Sequence, residues 1–209
     1  MIRYISNSLV LRFCLAFTVL SLLFTLLSWG QTAPNPFWNR YEESTTGLAA
    51  HLMRHALVGA IIALPTRRWE FIVTGALTSL LIDVDHLGWL GVPTVSRSSH
   101  SLCFLALIVM STAILARRGL LGNDVPPVLT SAVAGAVVCA HVALDILDTQ
   151  GVFPLWAPAS FQMVRLTDTW AVVLLALAIM AVGAGAIVDT RGRAPRGYSK
   201  ALRSDRQHQ

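Results

Sequence analysis

Leu80-Leu81-Ile82-Asp83-Val84-Asp85-His86, followed at a short remove by Arg97-Ser98-Ser99-His100-Ser101, sets three ionisable groups within four residues at the end of an apolar run. A charged side chain at bilayer depth costs about 2.5–3.5 kcal/mol even on insertion-based scales, so such groups usually face one another, a water-filled cavity or a bound ion. The run therefore reads as the polar end of a membrane helix. The surrounding chain must supply partners for it.

The composition agrees. Of 209 residues, 55% are hydrophobic and only 13% charged, with a mean hydropathy of +0.62, too apolar for an ordinary soluble domain of this length. The fold class expected is all-α, a polytopic membrane helix bundle. A net charge of +5 raises nucleic-acid binding, but the basic residues sit in short turns and in the tail from Arg191 to Arg206, and are not gathered on one amphipathic element. That distribution argues against a nucleic-acid partner and for a lipid bilayer. Cys14, Cys103 and Cys139 are single and far apart in apolar runs, so they read as small buried hydrophobes and imply no disulfide framework.

Working outward, six spans are expected, at about Leu9–Trp29, Gly47–Leu64, Trp69–Leu90, His100–Ala116, Val128–Leu147 and Asp168–Val188. This divides the chain into an N-terminal transmembrane helix (1–30), an extracytoplasmic loop (31–46), a membrane-embedded domain (47–190) and a basic cytoplasmic tail (191–209). The first span reads as uncleaved, because Trp29-Gly30-Gln31-Thr32-Ala33 is a poor cleavage site. Thr149–Leu166, with Gly151, Pro154 and Pro158, is expected to be irregular. With the amino terminus inside, Arg67-Arg68, Arg117-Arg118 and the tail all fall on the cytoplasmic side, so both termini are expected there in an inner (plasma) membrane. Trp29, Trp69, Trp89 and Trp170 lie near span ends, as interfacial anchors do.

This topology, drawn from arginine placement alone, carries His51, His55, Asp83, Asp85, His86, His100, His141, Asp145 and Asp148 to one side of the membrane, the extracytoplasmic side. The pairs His51/His55, Asp83/His86 and His141/Asp145 are three or four apart and share helix faces, whereas Asp83 and Asp85 would diverge on a helix, so one of them marks where the helix unwinds. Gly59, Gly75, Ala76, Ala134, Gly135 and Ala140 would let the helices approach closely. Imidazole mixed with carboxylate suits zinc best, with manganese, iron or nickel as alternatives. One ion with His–Asp pairs behind it and a two-ion centre both fit that count.

Each residue also has a plainer reading. His51/His55 can be a pair at a helix end, Asp148 and Asp168 loop or cap residues, and Arg97 a donor to a loop carbonyl as readily as to a substrate phosphate or carboxylate. Ser99 and Ser101 beside His100 raise a serine hydrolase, but the chain has no Gly-x-Ser-x-Gly elbow, and it has no His-Glu-x-x-His motif for a zincin protease.

The order His55-Ala56-Leu57-Val58-Gly59, Ile82-Asp83-Val84-Asp85-His86, Ser99-His100-Ser101-Leu102 and His141-x-x-x-Asp145, running into Gly151-Val152-Phe153-Pro154-Leu155-Trp156-Ala157-Pro158, resembles the YdjM-like family of bacterial and archaeal inner-membrane proteins described as metal-dependent hydrolases. The resemblance spans roughly residues 50 to 160. It implies His55, Asp83, Asp85, His86, His100, His141 and Asp145 as the metal-binding set. Two departures stand out: the family's usual His-Arg pair is replaced by Val95-Ser96 with an arginine displaced to Arg97, and its Leu-Pro-Asp reads Leu81-Ile82-Asp83. The expectation is a hydrolase of an ester or phosphodiester in a lipid or lipid-linked substrate, with one or two zinc ions and with Asp85, Asp145 and Arg97 as catalytic residues. The rival expectations are a non-catalytic membrane scaffold or accessory subunit with a structural cluster, and a metal transporter. A transporter needs ionisable residues continuing to the inner side, where the sequence has mainly arginine and Glu70.

Overall fold

Long apolar runs without internal proline dictate helix, and helix dominates the computed structural model of the chain, which describes residues 6–27, 33–34, 45–83, 94–95, 97–149 and 152–192. The helices are α1 (Ser6–Leu27), α2 (Thr45–Ala63), α3 (Trp69–Ile82), α4 (Leu102–Arg117), α5 (Pro127–Thr149) and α6 (Asp168–Gly192). Two short ladders join them. β1 (Ala33–Pro34) pairs antiparallel with β2 (Thr94–Val95), and β3 (Val152–Phe153) with β4 (Val164–Arg165). The all-α expectation holds, and the segment expected to be irregular after α5 contains the β3–β4 ladder.

Four helices, α1, α2, α5 and α6, are long and apolar enough to cross a membrane. Their outward faces carry large apolar side chains such as Leu11, Leu26, Leu57, Val172 and Met180, a surface that suits lipid. α3 and α4, of 14 and 16 residues, reach only about 21 and 24 Å at 1.5 Å per residue, short of a hydrocarbon core of about 30 Å. The third helix is described over Trp69–Ile82, and the rest of the span its sequence suggests, beyond Asp83 and up to Leu90, lies outside the described residues. Asp83 caps it, its N–H bonding back to the carbonyls of Leu80 and Leu81.

α5 is the centre of the bundle. It packs on α6, α4, α2 and α3, and Val133, Ala134, Val137, Ala140 and Ala143 along it are buried. Small residues set the helix spacing: a Cβ added at Gly59 of α2 would overlap the carbonyl of Gly75 in α3, and one at Gly75 would overlap that of Gly59. The two backbones therefore touch where His55 leaves α2 toward the interior. On the other flank α1 closes the core with Phe13, Phe17 and Phe24, of which Phe17 and Phe24 meet Phe104 of α4 edge-on at 5.9 and 5.3 Å. Several helix hydroxyls are satisfied within their own helices, Thr74 donating to the Glu70 carbonyl, Thr78 to Thr74 and Thr112 to Ile108, as an apolar surrounding favours.

Candidate metal centre

Three elements end at the same level as the first half of α2. α2 supplies His51 and His55 from one face, α3 supplies Asp83 at its cap, and α5 supplies His141, Asp145 and Asp148 near its last turn. His100 closes the short 3-10 turn Ser98–His100. The next residue, Ser101, caps α4 by accepting from the Phe104 N–H. The spacings three and four apart read from the sequence thus do place side chains on shared faces.

Asp83, His100, His141 and Asp145 form one buried group, their potential ligand atoms all within 4.8 Å of one another. His141 Nε2 lies 3.1 Å from Asp83 Oδ1 and 3.1 Å from His100 Nε2, and His100 Nε2 lies 3.0 Å from Asp145 Oδ2. The longer edges, His100 to Asp83 and His141 to Asp145, are both 3.9 Å. Four ligands placed tetrahedrally at zinc distances of about 2.0–2.1 Å stand about 3.3–3.4 Å apart, within the observed spread. A second group, His51, His55 and Asp145, shares the Asp145 carboxylate with the first.

Hydrogen bonds behind the group decide which ring atoms face inward. Ser99 Oγ donates to the Ile82 carbonyl at 3.0 Å and lies 3.0 Å from His100 Nδ1. A hydroxyl has one proton, so with it committed to Ile82 the His100 Nδ1–H must donate, which in the neutral ring leaves Nε2 bare toward the other donors. A bare imidazole nitrogen 3.0 Å from a carboxylate oxygen is repulsive unless a positive charge lies between them. The four convergent donors are more than one proton needs, and they fit a divalent cation.

Arg97 supplies a fixed charge. It takes a left-handed backbone conformation (φ 47°), costly for a residue other than glycine, and is buried with its guanidinium donating to Asp145 Oδ2 at 2.9 Å and to the Val152 carbonyl at 3.0 Å. The Phe153 ring contacts both the Arg97 guanidinium, 4.5 Å from its centroid, and the His100 ring, stacked at 5.8 Å. Arg97 thus does meet a loop carbonyl, and holds Asp145 besides.

Among the other residues singled out, Asp85 and His86 lie outside the described residues. His51 is buried, with Nε2 3.9 Å from Asp83 Oδ2 and Nδ1 3.7 Å from Asp148 Oδ2, and it joins the cluster that sequence alone places it only beside. Asp148 accepts from Arg54 at 3.0 Å and belongs to neither ligand group. Asp168 opens α6. Sequence reading assigned no role to Ser79, whose Oγ is 3.4 Å from His141 Nδ1, nor to Phe153. A serine on the buried face of α3, one turn before Asp83, is the signal that could have found the first.

No family model, no curated protein and no solved structure matches the chain.

Proposed function

We propose that this protein is a membrane-embedded, metal-dependent hydrolase of an ester or phosphodiester in a lipid or lipid-linked substrate, akin to the YdjM-like proteins its motifs resemble. The observation that carries the reading is the convergence of two carboxylates and two imidazoles, from three separate elements, into one buried group of donors within an apolar bundle. Asp83, His100, His141 and Asp145 would hold the ion, and the mixture of two nitrogen and two oxygen donors favours zinc. An ion bound there supplies Lewis acidity, activating water and polarising an acyl or phosphoryl oxygen.

The protein's own groups have separable tasks. Arg97 fixes Asp145 and offsets its charge. Ser99 orients His100. Asp145, read from sequence as a proton acceptor, is fully buried and held by Arg97, so its task is to bind. The edge that reaches solvent runs through Asp83 and Asp148, whose side chains are 11% and 17% exposed, and this is the side from which a proton would leave. Among the described residues the core holds Asp83 and Asp145 against Arg97, a net charge of about −1 that a divalent ion turns to about +1. Such a site suits an anionic phosphate.

The cluster lies at one end of the bundle, near where lipid headgroups would lie, which supports a lipid substrate. Arg67, Arg68, Arg117, Arg118 and Arg191 lie at the opposite helix ends. Under the positive-inside tendency they support a topology with both termini in the cytoplasm, the site on the extracytoplasmic face of an inner membrane, and α3 and α4 among six spans. Elemental analysis of detergent-purified protein, beside a hydrolysis screen with ester and phosphodiester lipids, tests the proposal. A bound transition metal and turnover, both lost in His100→Ala, are expected. Metal-free protein, with no change in His100→Ala or Asp145→Ala, would overturn it.

One observation favours a second reading. Four protein donors converge, the number that structural zinc sites use, whereas catalytic sites keep a position open. In that case the protein is a scaffold or accessory subunit, which holds metal and hydrolyses nothing in the same screen.

A further inference from the structure

His55 Nδ1 and His141 Nδ1 are 2.8 Å apart, buried, and the rings lie with centroids at 4.0 Å. Between two ring nitrogens at that distance there is room for one hydrogen. A neutral imidazole that offers Nε2 to an ion must carry its hydrogen on Nδ1. His55 and His141 cannot both do so without two N–H groups facing each other across the gap. We infer that His55 is not an ion ligand but the positioning residue for His141, and that the two donor groups sharing Asp145 are alternatives, so that filling one disables the other.

The geometry selects which group is filled. If His141 Nδ1–H donates to His55 Nδ1, with Ser79 Oγ at 3.4 Å as a second acceptor, His141 Nε2 is bare and faces Asp83 and His100. His55 then carries its hydrogen on Nε2, which faces the Asp145 Oδ1 atom 3.3 Å away, a favourable approach of a donor to a carboxylate. The opposite arrangement bares His55 Nε2 toward a three-residue group at the expense of the four-residue group. The first placement satisfies more groups and keeps more ligands.

The inference rests on the metal reading, and ion counting separates their failures. Detergent-purified wild type, His55→Phe and His55→Gln are saturated with zinc, freed of excess by gel filtration and assayed for zinc per chain and for affinity, with circular dichroism as the check on folding. The same number of ions per chain is expected in all three. Affinity should fall about 10–100-fold in His55→Phe, which leaves the His141 N–H only the more distant Ser79 hydroxyl, and less in His55→Gln, whose amide oxygen can accept from it. A count that drops by one in the His55 variants would make His55 a ligand and overturn the inference while leaving the metal reading intact. Zinc-free wild type would overturn both. Should His55→Phe fail to fold, the count in His55→Gln decides.

Discussion

Both ends of the bundle carry ionisable side chains, and they treat them in opposite ways. At one end Asp83, His100, His141 and Asp145 lie within about a ligand diameter of one another, buried, with Arg97 and Ser99 fixing their orientation. At the other, Arg68, Glu70, Asp124 and Asp189 line an open groove between the ends of α3, α5 and α6. There the Arg68–Glu70 approach is 3.9 Å and each side chain is about a fifth exposed. Position and burial, more than residue type, thus separate a candidate site from an interfacial rim. In the buried cluster Asp145 and Arg97 depend on each other, because both are sealed from the water that could replace a lost partner. At the rim water or a headgroup can.

Asp145→Ala should break that comparison most severely if it is wrong. The substitution leaves Arg97 buried without its carboxylate and removes one of four donors. A loss of about 3–5 kcal/mol is expected for a buried pair broken on one side, read as a lowered melting temperature in detergent, together with loss of bound metal. Melting and metal content equal to wild type would mean that the cluster is as tolerant as the rim.

The next effect concerns how the two ends are joined. Gly59→Ala pushes a methyl into the Gly75 carbonyl, so α2 must shift away from α3 and carry His51 and His55 with it. Overpacking of this kind costs about 1–3 kcal/mol. A weaker site in this variant, despite every polar residue being intact, would show that helix contact sets the cluster's geometry. Unchanged zinc affinity would place the control elsewhere.

Ser99→Ala is gentler and more local. It removes the acceptor for the His100 Nδ1–H while leaving all four donors in place, and the loss of such an outer partner lowers metal affinity by about 10–100-fold. A competition titration with a chelating dye measures it. No change in affinity would mean that Phe153 stacking alone orients the ring.

These effects mark where sequence reading was sharp and where it was not. The spacing of His51/His55 and His141/Asp145, with Gly59 and Gly75, was enough to foresee four elements aiming imidazole and acid at one level, because helical periodicity is local and arithmetic. The cap of α3 at Asp83 falls on one of the two acids whose divergence on a helix marked an unwinding there, while the apolar Leu87–Leu90 stretch that extends the hydrophobic run lies outside the described residues. Arg97 and Phe153 are 56 residues apart, and no periodicity couples them. Ser99 read as a possible nucleophile because a serine beside a histidine says nothing of where its proton goes. Asp85 and His86, two of the residues expected to ligate, lie outside the described residues, so their part in the site rests on the motif alone.

The smallest effect is the most demanding check on the comparison. Glu70→Gln removes the anion facing Arg68, whose guanidinium also lies 5.1 Å from the Phe71 ring centroid. Partly exposed pairs contribute about 0–1 kcal/mol, and the face of Phe71 still attracts the cation, so a change in melting temperature near the limit of measurement is expected, with metal content untouched. Raising the salt concentration should shrink that change further, since exposed charges are screened while the buried cluster is not. A loss as large as that of Asp145→Ala would mean that the groove at the opposite end also depends on its charges in the absence of water. In that event burial would no longer distinguish the two ends, and the assignment of the site to the His/Asp end would have to stand on donor geometry alone.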